Sequence, residues 1–367
     1  MSEPVTRRGL LRAGAAAAGS AAIGAAFAAN PAAAAPTPPL PGPSGSGLDK
    51  TGADKHGGGP VLRGPMLKPG DRVRIVAPAY PGDGRLVRGQ EILESFGLLV
   101  EYGDHVYDQN GYLAGTDADR LADLNAAFGD PGVRCVFGAR GGYGTQRIID
   151  GLDVAAVRRD PKVFIGFSDL TALHGKLWRA ARLVSFYGPL ATWTDARTGP
   201  DSIESMRAAL MSTDPIVINR DPLEPSSAVN VPGTASGRLL GGNLTMVETS
   251  IGAGDFPSLD GAIFLFEDTG EAPYSYDRML NQLRRIGALH RIAGEAIGQF
   301  NAAGDGSGGW TAAQAVTDRL ADLGVPVLGG LRIGHGSGQL TVPLGAWATI
   351  DTVAGTLTVE PGVRSGS

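Results

Sequence analysis

A serine that follows a short apolar run is the first residue whose surroundings favour catalysis. Residues 162–174 read KVFIGFSDLTALH, in which the apolar run 163–165 predicts a buried strand. From Asp169 onward the apolar residues follow helical spacing, so Ser168 lies on the turn at the carboxyl end of the strand. Open α/β sheets bind ligands at such turns, and a hydroxyl there could act as a nucleophile. Taken alone, the stretch favours the simpler interpretation that Ser168 or Asp169 caps the helix, because caps are common.

A nucleophilic serine needs a general base, and the base needs an acceptor that orients it. His335 stands in a glycine-rich loop, residues 332–338, which reads RIGHGSG and lets the backbone approach a site closely. Glu267 follows the apolar run 262–266, where a buried carboxylate would need a partner such as an imidazole N–H. Ser168, Glu267 and His335 would occur in an order known for hydrolase triads, although a loop histidine by itself is more commonly non-catalytic.

A second glycine-rich stretch, GARGGYG at residues 138–144, follows the predicted strand 133–137. It lacks the G-x-G-x-x-G spacing and the G-K-[ST] ending of phosphate-binding loops. It fits a loop whose backbone N–H groups stabilise an oxyanion, because its strand is expected beside the strand of Ser168. Arg140 in this stretch is a candidate for binding a substrate carboxylate, and a structural salt bridge is an equally good interpretation.

The composition is that of a globular protein with room for two domains. The 367 residues are 43% hydrophobic and 19% charged, and the formal net charge is −5. The sequence has no basic patch, which argues against nucleic acid as a partner. The single cysteine, Cys135, excludes an intramolecular disulfide, and its strand-like surroundings indicate a buried apolar side chain.

The N-terminal segment has the pattern of an export signal. Arg7 and Arg8 precede an alanine-rich apolar run, residues 13–29. This predicts a twin-arginine signal over residues 1–35, use of the twin-arginine export machinery, and an extracytoplasmic location in the periplasm or cell wall. An uncleaved anchor fits less well, because the run is short for a membrane span. Residues 36–65 are rich in proline and glycine and predict a disordered tether.

Strands that alternate with helices predict an α/β protein with a mostly parallel sheet flanked by helices. This pattern covers residues 66–212, the expected nucleophile domain. Residues 213–232 are rich in Pro, Asp and Ser and predict a linker. Residues 233–367 predict a smaller C-terminal α+β domain that carries Glu267 and His335.

Individual elements follow from the same patterns. The segment 116–128 predicts a helix with a threonine or aspartate cap, and another helix is expected to begin at 145–149. A strand within 339–344 is expected in the second domain, which closes with a hairpin.

Seven motifs, in this order, resemble those of the LD-carboxypeptidases and span residues 71–360. They are RIVAPA, ARGGYG, IGFSDLTAL, FYGP, GRLLGGNL, FLFEDTGEAPYSYDRML and GHGSGQLTVPLG. Members of this family are serine peptidases that remove the C-terminal D-alanine from peptidoglycan tetrapeptides, and the microcin-C immunity peptidases are relatives. Seven ordered motifs are far more specific than one, so the resemblance favours Ser168 as a nucleophile over a helix cap.

The resemblance implies a role for each residue of the site. Ser168 matches the family nucleophile, Glu267 the acid and His335 the base, while the backbone N–H groups of Asp169 and Gly142 match the oxyanion hole. The implied fold is an N-terminal α/β sheet domain plus a C-terminal domain with a barrel-like sheet, commonly a homodimer. The implied substrate is a muropeptide, with no metal or cofactor. In many relatives a Pro or Asn follows the histidine by a few positions, whereas GSGQ follows it here.

Two other functions stay open at this level. A related serine peptidase could cleave peptidyl-nucleotide toxins, although such toxins act in the cytoplasm and the export signal argues against this. A catalytically silent protein could bind wall peptides, which the presence of Ser168, Glu267 and His335 disfavours.

Overall fold

The computed structural model describes residues 59–301 and 309–366. The predicted export signal and the tether up to residue 58 lie outside the described residues. Among those described, no helix combines the length and the apolar character that a membrane crossing requires.

Strands and helices alternate along most of the chain. The strands are β1 (Arg72–Val76), β2 (Leu99–Tyr102), β3 (Val133–Gly138), β4 (Val163–Gly166), β5 (Ser185–Tyr187), β6 (Ile216–Asn219), β7 (Asn230–Val231), β8 (Thr234–Asn243), β9 (Ile263–Thr269), β10 (Gly294–Asn301), β11 (Val327–Leu328), β12 (Val342–Leu344), β13 (Trp347–Asp351) and β14 (Thr356–Val359). The helices are α1 (Leu86–Ser95), α2 (Asp117–Gly129), α3 (Val154–Arg159), α4 (Thr171–Ala181), α5 (Pro200–Met211), α6 (Leu244–Gly252), α7 (Pro273–Arg285) and α8 (Ala312–Leu320). The predicted α/β class is confirmed.

The first sheet has six strands in the order β12-β5-β4-β3-β1-β2, and all except β12 run parallel. Its strands are apolar on both faces because each face packs into its own core. In β4, for example, Phe164 joins one core, while Val163 and Ile165 join the other. Since the parallel strands end at one edge, the loops that follow them meet there.

The second sheet has eight strands in the order β6-β14-β13-β8-β9-β10-β11-β7. Its centre, from β8 to β11, is parallel, with α6, α7 and α8 as the crossover helices. The remaining strands pair antiparallel. The two edge strands, β6 and β7, are consecutive in the chain, so a short connection joins the two sides of the sheet.

The strand expected within 339–344 forms, but not where the sequence suggested. It is β12, and it leaves the second domain to pair antiparallel with β5 of the first sheet, with Val342 opposite Tyr187. The loop that carries His335 therefore runs from β11 in one sheet to β12 in the other.

Three other expectations need correction. Residues 213–232 are not a bare linker, because β6 and β7 lie within them and Ile218 is buried in the core. The tether does not reach residue 65, since Leu62 bridges to Leu183 and Pro65 to Arg364. The helix expected at 145–149 is two short 3₁₀ turns.

A fully buried carboxyl group in β10 makes the stability of the fold dependent on pH. Neither carboxylate oxygen of Glu295 has a hydrogen-bond partner among the described residues. Burial raises the pKa of Glu295 to about 8, and the charge of Arg284 opposes this. The stability that the neutral carboxyl contributes is therefore complete below the ordinary pKa of glutamate and is lost as the pH rises through about 8.

Glu295→Gln should reduce this pH dependence, because the amide has a similar shape and cannot ionise. We expect the urea midpoint of the variant, relative to wild type, to increase between about pH 5 and about pH 9. The matched change Glu94→Gln, on the exposed face of α1, should follow wild type at each pH. Parallel pH profiles for Glu295→Gln and wild type would contradict the expectation.

Candidate active site

The strand-to-helix turn after β4 presents Ser168. Phe167 is extended and Ser168 has a φ of 63°, in the left-handed region that few non-glycine residues adopt. Gly141 lies so close that an added Cβ would come within 3.2 Å of Ser168 Oγ. A side chain at position 141 would therefore crowd the hydroxyl, which explains the glycine.

Three side chains that lie far apart in sequence form a continuous series of hydrogen bonds. His335 Nε2 lies 2.9 Å from Ser168 Oγ, and His335 Nδ1 lies 2.6 Å from Glu267 Oε2. The ring of Phe167 packs against the imidazole with 4.7 Å between ring centroids. The arrangement allows Ser168 to donate to Nε2 while Nδ1–H donates to the carboxylate.

Glu267 is completely buried at the carboxyl end of β9, so its charge depends on donors from other elements. Besides His335, the hydroxyl of Tyr187 donates to Oε1 at 2.7 Å, and Asn243 Nδ2 lies 3.4 Å from the same atom. Burial raises the pKa of Tyr187 well above its ordinary value, so the phenol keeps its proton and acts as a donor. The same hydroxyl accepts the backbone N–H of Ser168 at 3.2 Å. Tyr187 thus connects the carboxylate to the serine turn directly.

Glycines leave space around Glu267. An added Cβ on Gly334, which has a φ of 123°, would lie 2.5 Å from Glu267 Oε2. An added Cβ on Gly298 would lie 2.9 Å from the Cβ of Glu267. The glycine before His335 therefore allows the loop to approach the carboxylate.

The neighbouring acid, Asp268, anchors the same strand end. It accepts from Asn243 Nδ2 and from the backbone N–H groups of Thr245 and Thr269, at 2.8 to 2.9 Å. Burial and the charge of Glu267 raise the pKa of Asp268 to about 6. Its contacts bind β9 to the start of α6.

Asp169, the residue after the serine, fixes the glycine-rich stretch 138–144. It is buried, and its Oδ2 accepts the backbone N–H of Thr145 at 2.9 Å. The buried guanidinium of Arg120 donates to the carbonyl of Gly144 at 2.9 Å and also to the carbonyl of Pro78. The stretch is therefore held from two directions beside Ser168.

Ser168 and His335 line a cleft of about 270 Å³ that also contains Gly142 and Arg140. Arg140 lies 3.3 Å from Asp83 and stacks over the ring of Tyr80 at 5.6 Å. The predicted carboxylate ligand is thus engaged in a salt bridge. Residues 59–301 and 309–366 contain no group of three or more His, Cys, Asp or Glu side chains that could hold a metal ion.

Comparison with known families agrees with this arrangement. Residues 73–188 match the LD-carboxypeptidase N-terminal domain, and residues 236–350 match the LD-carboxypeptidase C-terminal domain. The chain belongs to the LD-carboxypeptidase family. It is therefore a peptidase, and the resemblance inferred from the motifs is confirmed.

Two of the chain's relatives are named as murein carboxypeptidases. The chain is 37% identical to a probable murein peptide carboxypeptidase of Bacillus subtilis, covering 82% of this chain and 95% of the relative. It is 29% identical to the murein tetrapeptide carboxypeptidase of Pseudomonas aeruginosa, covering 76% of this chain and 93% of the relative.

Solved structures support the same fold. The muramoyltetrapeptide carboxypeptidase of Oxalobacter formigenes matches with a TM-score of 0.70 and 28% identity, over 80% of this chain and all of that one. A microcin C7 self immunity protein matches with a TM-score of 0.74 and 23% identity, over 82% of this chain and 98% of that one. At that identity, the second match shows the fold alone.

The structure brings the predicted residues Ser168, Glu267 and His335 together, with His335 between the other two. Asp169 follows Ser168 in the chain, and Gly142 lines the same cleft. Sequence reasoning missed the bridging role of Tyr187 and the contacts of Asn243. Both stand in motifs that were noted, FYGP and GRLLGGNL, and each follows an apolar strand-like run, as Glu267 does. That shared position at a strand's carboxyl end was the available signal.

Tyr187→Phe tests the bridge between the carboxylate and the serine turn. The variant keeps the ring but loses a hydrogen bond to a charged group, so we expect kcat to decrease about 10- to 100-fold with little change in KM. Tyr102→Phe removes a hydroxyl on β2 that donates to Gln90 Oε1 at 2.6 Å and does not line the cleft, so this control should retain wild-type turnover. Steady-state kinetics on folded protein, checked by circular dichroism, measure both. Undiminished kcat in Tyr187→Phe would show that the bridge has no role.

Proposed function

We propose that the protein is a serine-type LD-carboxypeptidase that removes the C-terminal D-alanine from peptidoglycan tetrapeptides. The observation that carries this proposal is the series of hydrogen bonds from Glu267 through His335 to Ser168. The murein and muramoyltetrapeptide carboxypeptidases among its relatives support a muropeptide substrate.

In the first half of the reaction, His335 acts as the general base. Its Nε2 takes the proton of Ser168 as Oγ forms a bond to the carbonyl carbon that precedes D-alanine. Glu267 holds the Nδ1–H tautomer and stabilises the imidazolium. The carbonyl oxygen becomes an oxyanion, which the backbone N–H groups of Asp169 and Gly142 stabilise.

In the second half, the proton returns and water completes hydrolysis. Nε2–H of His335 protonates the amine of D-alanine as the C–N bond breaks, which leaves an acyl-enzyme on Ser168. His335 then takes a proton from water, whose oxygen attacks the acyl carbon. Collapse of the second tetrahedral intermediate releases the tripeptide and returns the proton to Ser168.

Ser168→Ala removes the attacking oxygen, and Glu267→Gln removes the charge that stabilises the imidazolium. Each should lower the rate of D-alanine release from a tetrapeptide by about 10⁴-fold, with the fold retained. Mass spectrometry of the peptide products measures the loss.

Cys135→Ala is the matched control for the choice of nucleophile. Cys135 is completely buried, and burial raises the pKa of its thiol, so the thiolate does not form at neutral pH. Turnover per folded molecule should stay near wild type. D-alanine release that survives Ser168→Ala but not Cys135→Ala would overturn the proposal.

Peptidyl-nucleotides are the competing substrate class. One structure of the microcin C7 self immunity protein holds glutamyl sulfamoyl guanosine, and that protein shares this fold. We propose wall peptides because the predicted export signal would separate the enzyme from cytoplasmic toxins. Incubation of the wild-type enzyme with both substrate classes distinguishes them, since cleavage of the peptidyl-nucleotide alone would reverse the assignment.

Export through the twin-arginine route is part of the proposal, and a homodimeric assembly stays a prediction. Replacing Arg7 and Arg8 together by lysine keeps the charge but removes the arginine pair, so we expect the protein to accumulate in the cytoplasm. Arg12→Lys should be exported normally. Cell fractionation with immunoblotting measures the distribution. Normal export of the double variant would contradict the route.

A further inference from the structure

The cleft contains three arginines that differ in how their charges are compensated. Arg85, Arg140 and Arg197 all line it, together with Ser168 and His335. A carboxypeptidase must recognise a free terminal carboxylate, and a guanidinium is a strong ligand for that group.

Two of the three arginines share one carboxylate. Asp83 Oδ2 accepts from Arg85 Nη2 at 2.6 Å, and Arg140 Nη1 lies 3.3 Å from the same atom. The hydrogen bonds from Arg85 lower the pKa of Asp83 to about 2, so this carboxylate is charged throughout the neutral range. Arg85 and Arg140 therefore already have a counter-ion.

Among the described residues, no carboxylate lies within salt-bridge distance of Arg197, and the negative charge that acts on it is that of the more distant Glu267. The Nε and Nη2 atoms of Arg197 are shielded from solvent and have no hydrogen-bond partner among the described residues, while its guanidinium carbon lies 5.1 Å from the centre of the Phe167 ring. An arginine keeps its charge at any accessible pH, so donors withdrawn from water without a partner are costly. A ligand that supplies acceptors would remove that cost.

Gln339 lines the same cleft, and its side chain also lacks hydrogen-bond partners within the described part of the chain. Its side chain is completely buried, and neither Oε1 nor Nε2 has a hydrogen-bond partner among the described residues. The loops of the two residues are tied together, because the backbone N–H of Gly338 donates to the carbonyl of Arg197 at 2.8 Å. Two unsatisfied polar side chains thus line one cleft beside the serine.

The chemistry of these donors identifies the ligand. Nε and Nη2 of one guanidinium form the parallel pair that binds both oxygens of a carboxylate. The amide of Gln339 adds a donor for a carboxylate oxygen and an acceptor for an N–H of the same ligand. We propose that Arg197 and Gln339 form the subsite that binds the α-carboxylate of the residue released from the substrate.

This inference rests on the proposed function. It assigns the enzyme's specificity for the C-terminal end of a peptide to Arg197 and Gln339. A peptide that continues beyond D-alanine, or ends in a carboxamide, would place a neutral group against Arg197 and leave its Nε and Nη2 without a charged acceptor. The enzyme would therefore remove one terminal residue and leave internal bonds intact.

Binding to the Ser168→Ala variant tests the subsite without requiring turnover. The probes are tetrapeptides with lysine or meso-diaminopimelate at the third position, each as the free acid and as the C-terminal carboxamide. Isothermal titration should show about 10- to 100-fold tighter binding of the acid. Adding Arg197→Ala should abolish this preference and leave carboxamide affinity unchanged, which also shows that the cleft is still folded.

Matched variants separate a charge effect from a packing effect. Arg197→Lys should restore part of the preference for the acid, because it returns the charge without the paired donors. Gln339→Ala should reduce the preference several-fold. Arg140→Gln should leave the acid-to-carboxamide ratio unchanged, whatever it does to overall affinity, because Arg140 is paired with Asp83.

Each outcome bears on the inference separately from the proposed function. Equal binding of acid and carboxamide, no binding of either probe, or a preference that depends on Arg140 instead of Arg197 would overturn it. A preference lost with Arg197→Ala supports it even if the wild-type enzyme never releases D-alanine. That failure to release D-alanine would overturn the proposed function alone.

Discussion

The need to compensate one buried carboxylate organises the centre of the molecule. Glu267 has no access to solvent, and an ionised carboxyl group there is tolerated only if donors surround it. The donors come from the loop of His335, from β5 through Tyr187, and from the end of β8 through Asn243. These elements belong to both sheets. The hydrogen bonds to the carboxylate therefore also fix the position of one sheet relative to the other near Ser168.

Two further buried acids, Asp169 and Asp268, anchor neighbouring segments in a similar way. Asp169 holds the glycine-rich stretch through Thr145, and Asp268 holds the start of α6 through Thr245. Each follows a residue proposed for catalysis, Ser168 or Glu267, in the chain. The reacting side chain and the adjacent anchor are therefore positioned by the same turn or strand end, which limits the independent movement of either.

The sequence predicted the parallel strands that precede the site and the residues that follow their apolar runs, because local signals mark them. Ser168 and Glu267 each follow an apolar run, and such runs end where parallel strands present their loops. The position of Tyr187 after a strand-like run marks it as a candidate, but its bond to Glu267 could not be predicted, because that residue lies 80 positions away. Similarly, the composition of 213–232 hid β6, whose pairing with β14 arises only once the second sheet has formed. The contact of Tyr187 and the pairing of β6 both depend on residues that are distant in sequence, and local propensity does not reveal such contacts.

The crossover strand β12 also bears on how this chain could evolve. The two regions that match the family domains look like separable modules in sequence, yet Val342–Leu344 from the second completes the sheet of the first. Without it, the short strand that carries Tyr187 would be an unpaired edge, open to pairing with another chain. Recombination between relatives at the boundary near residue 232 would have to preserve the match between this strand and Ser185–Tyr187. The two halves are therefore expected to be inherited together, and a functional chimera would have to exchange β12 and β5 as a pair.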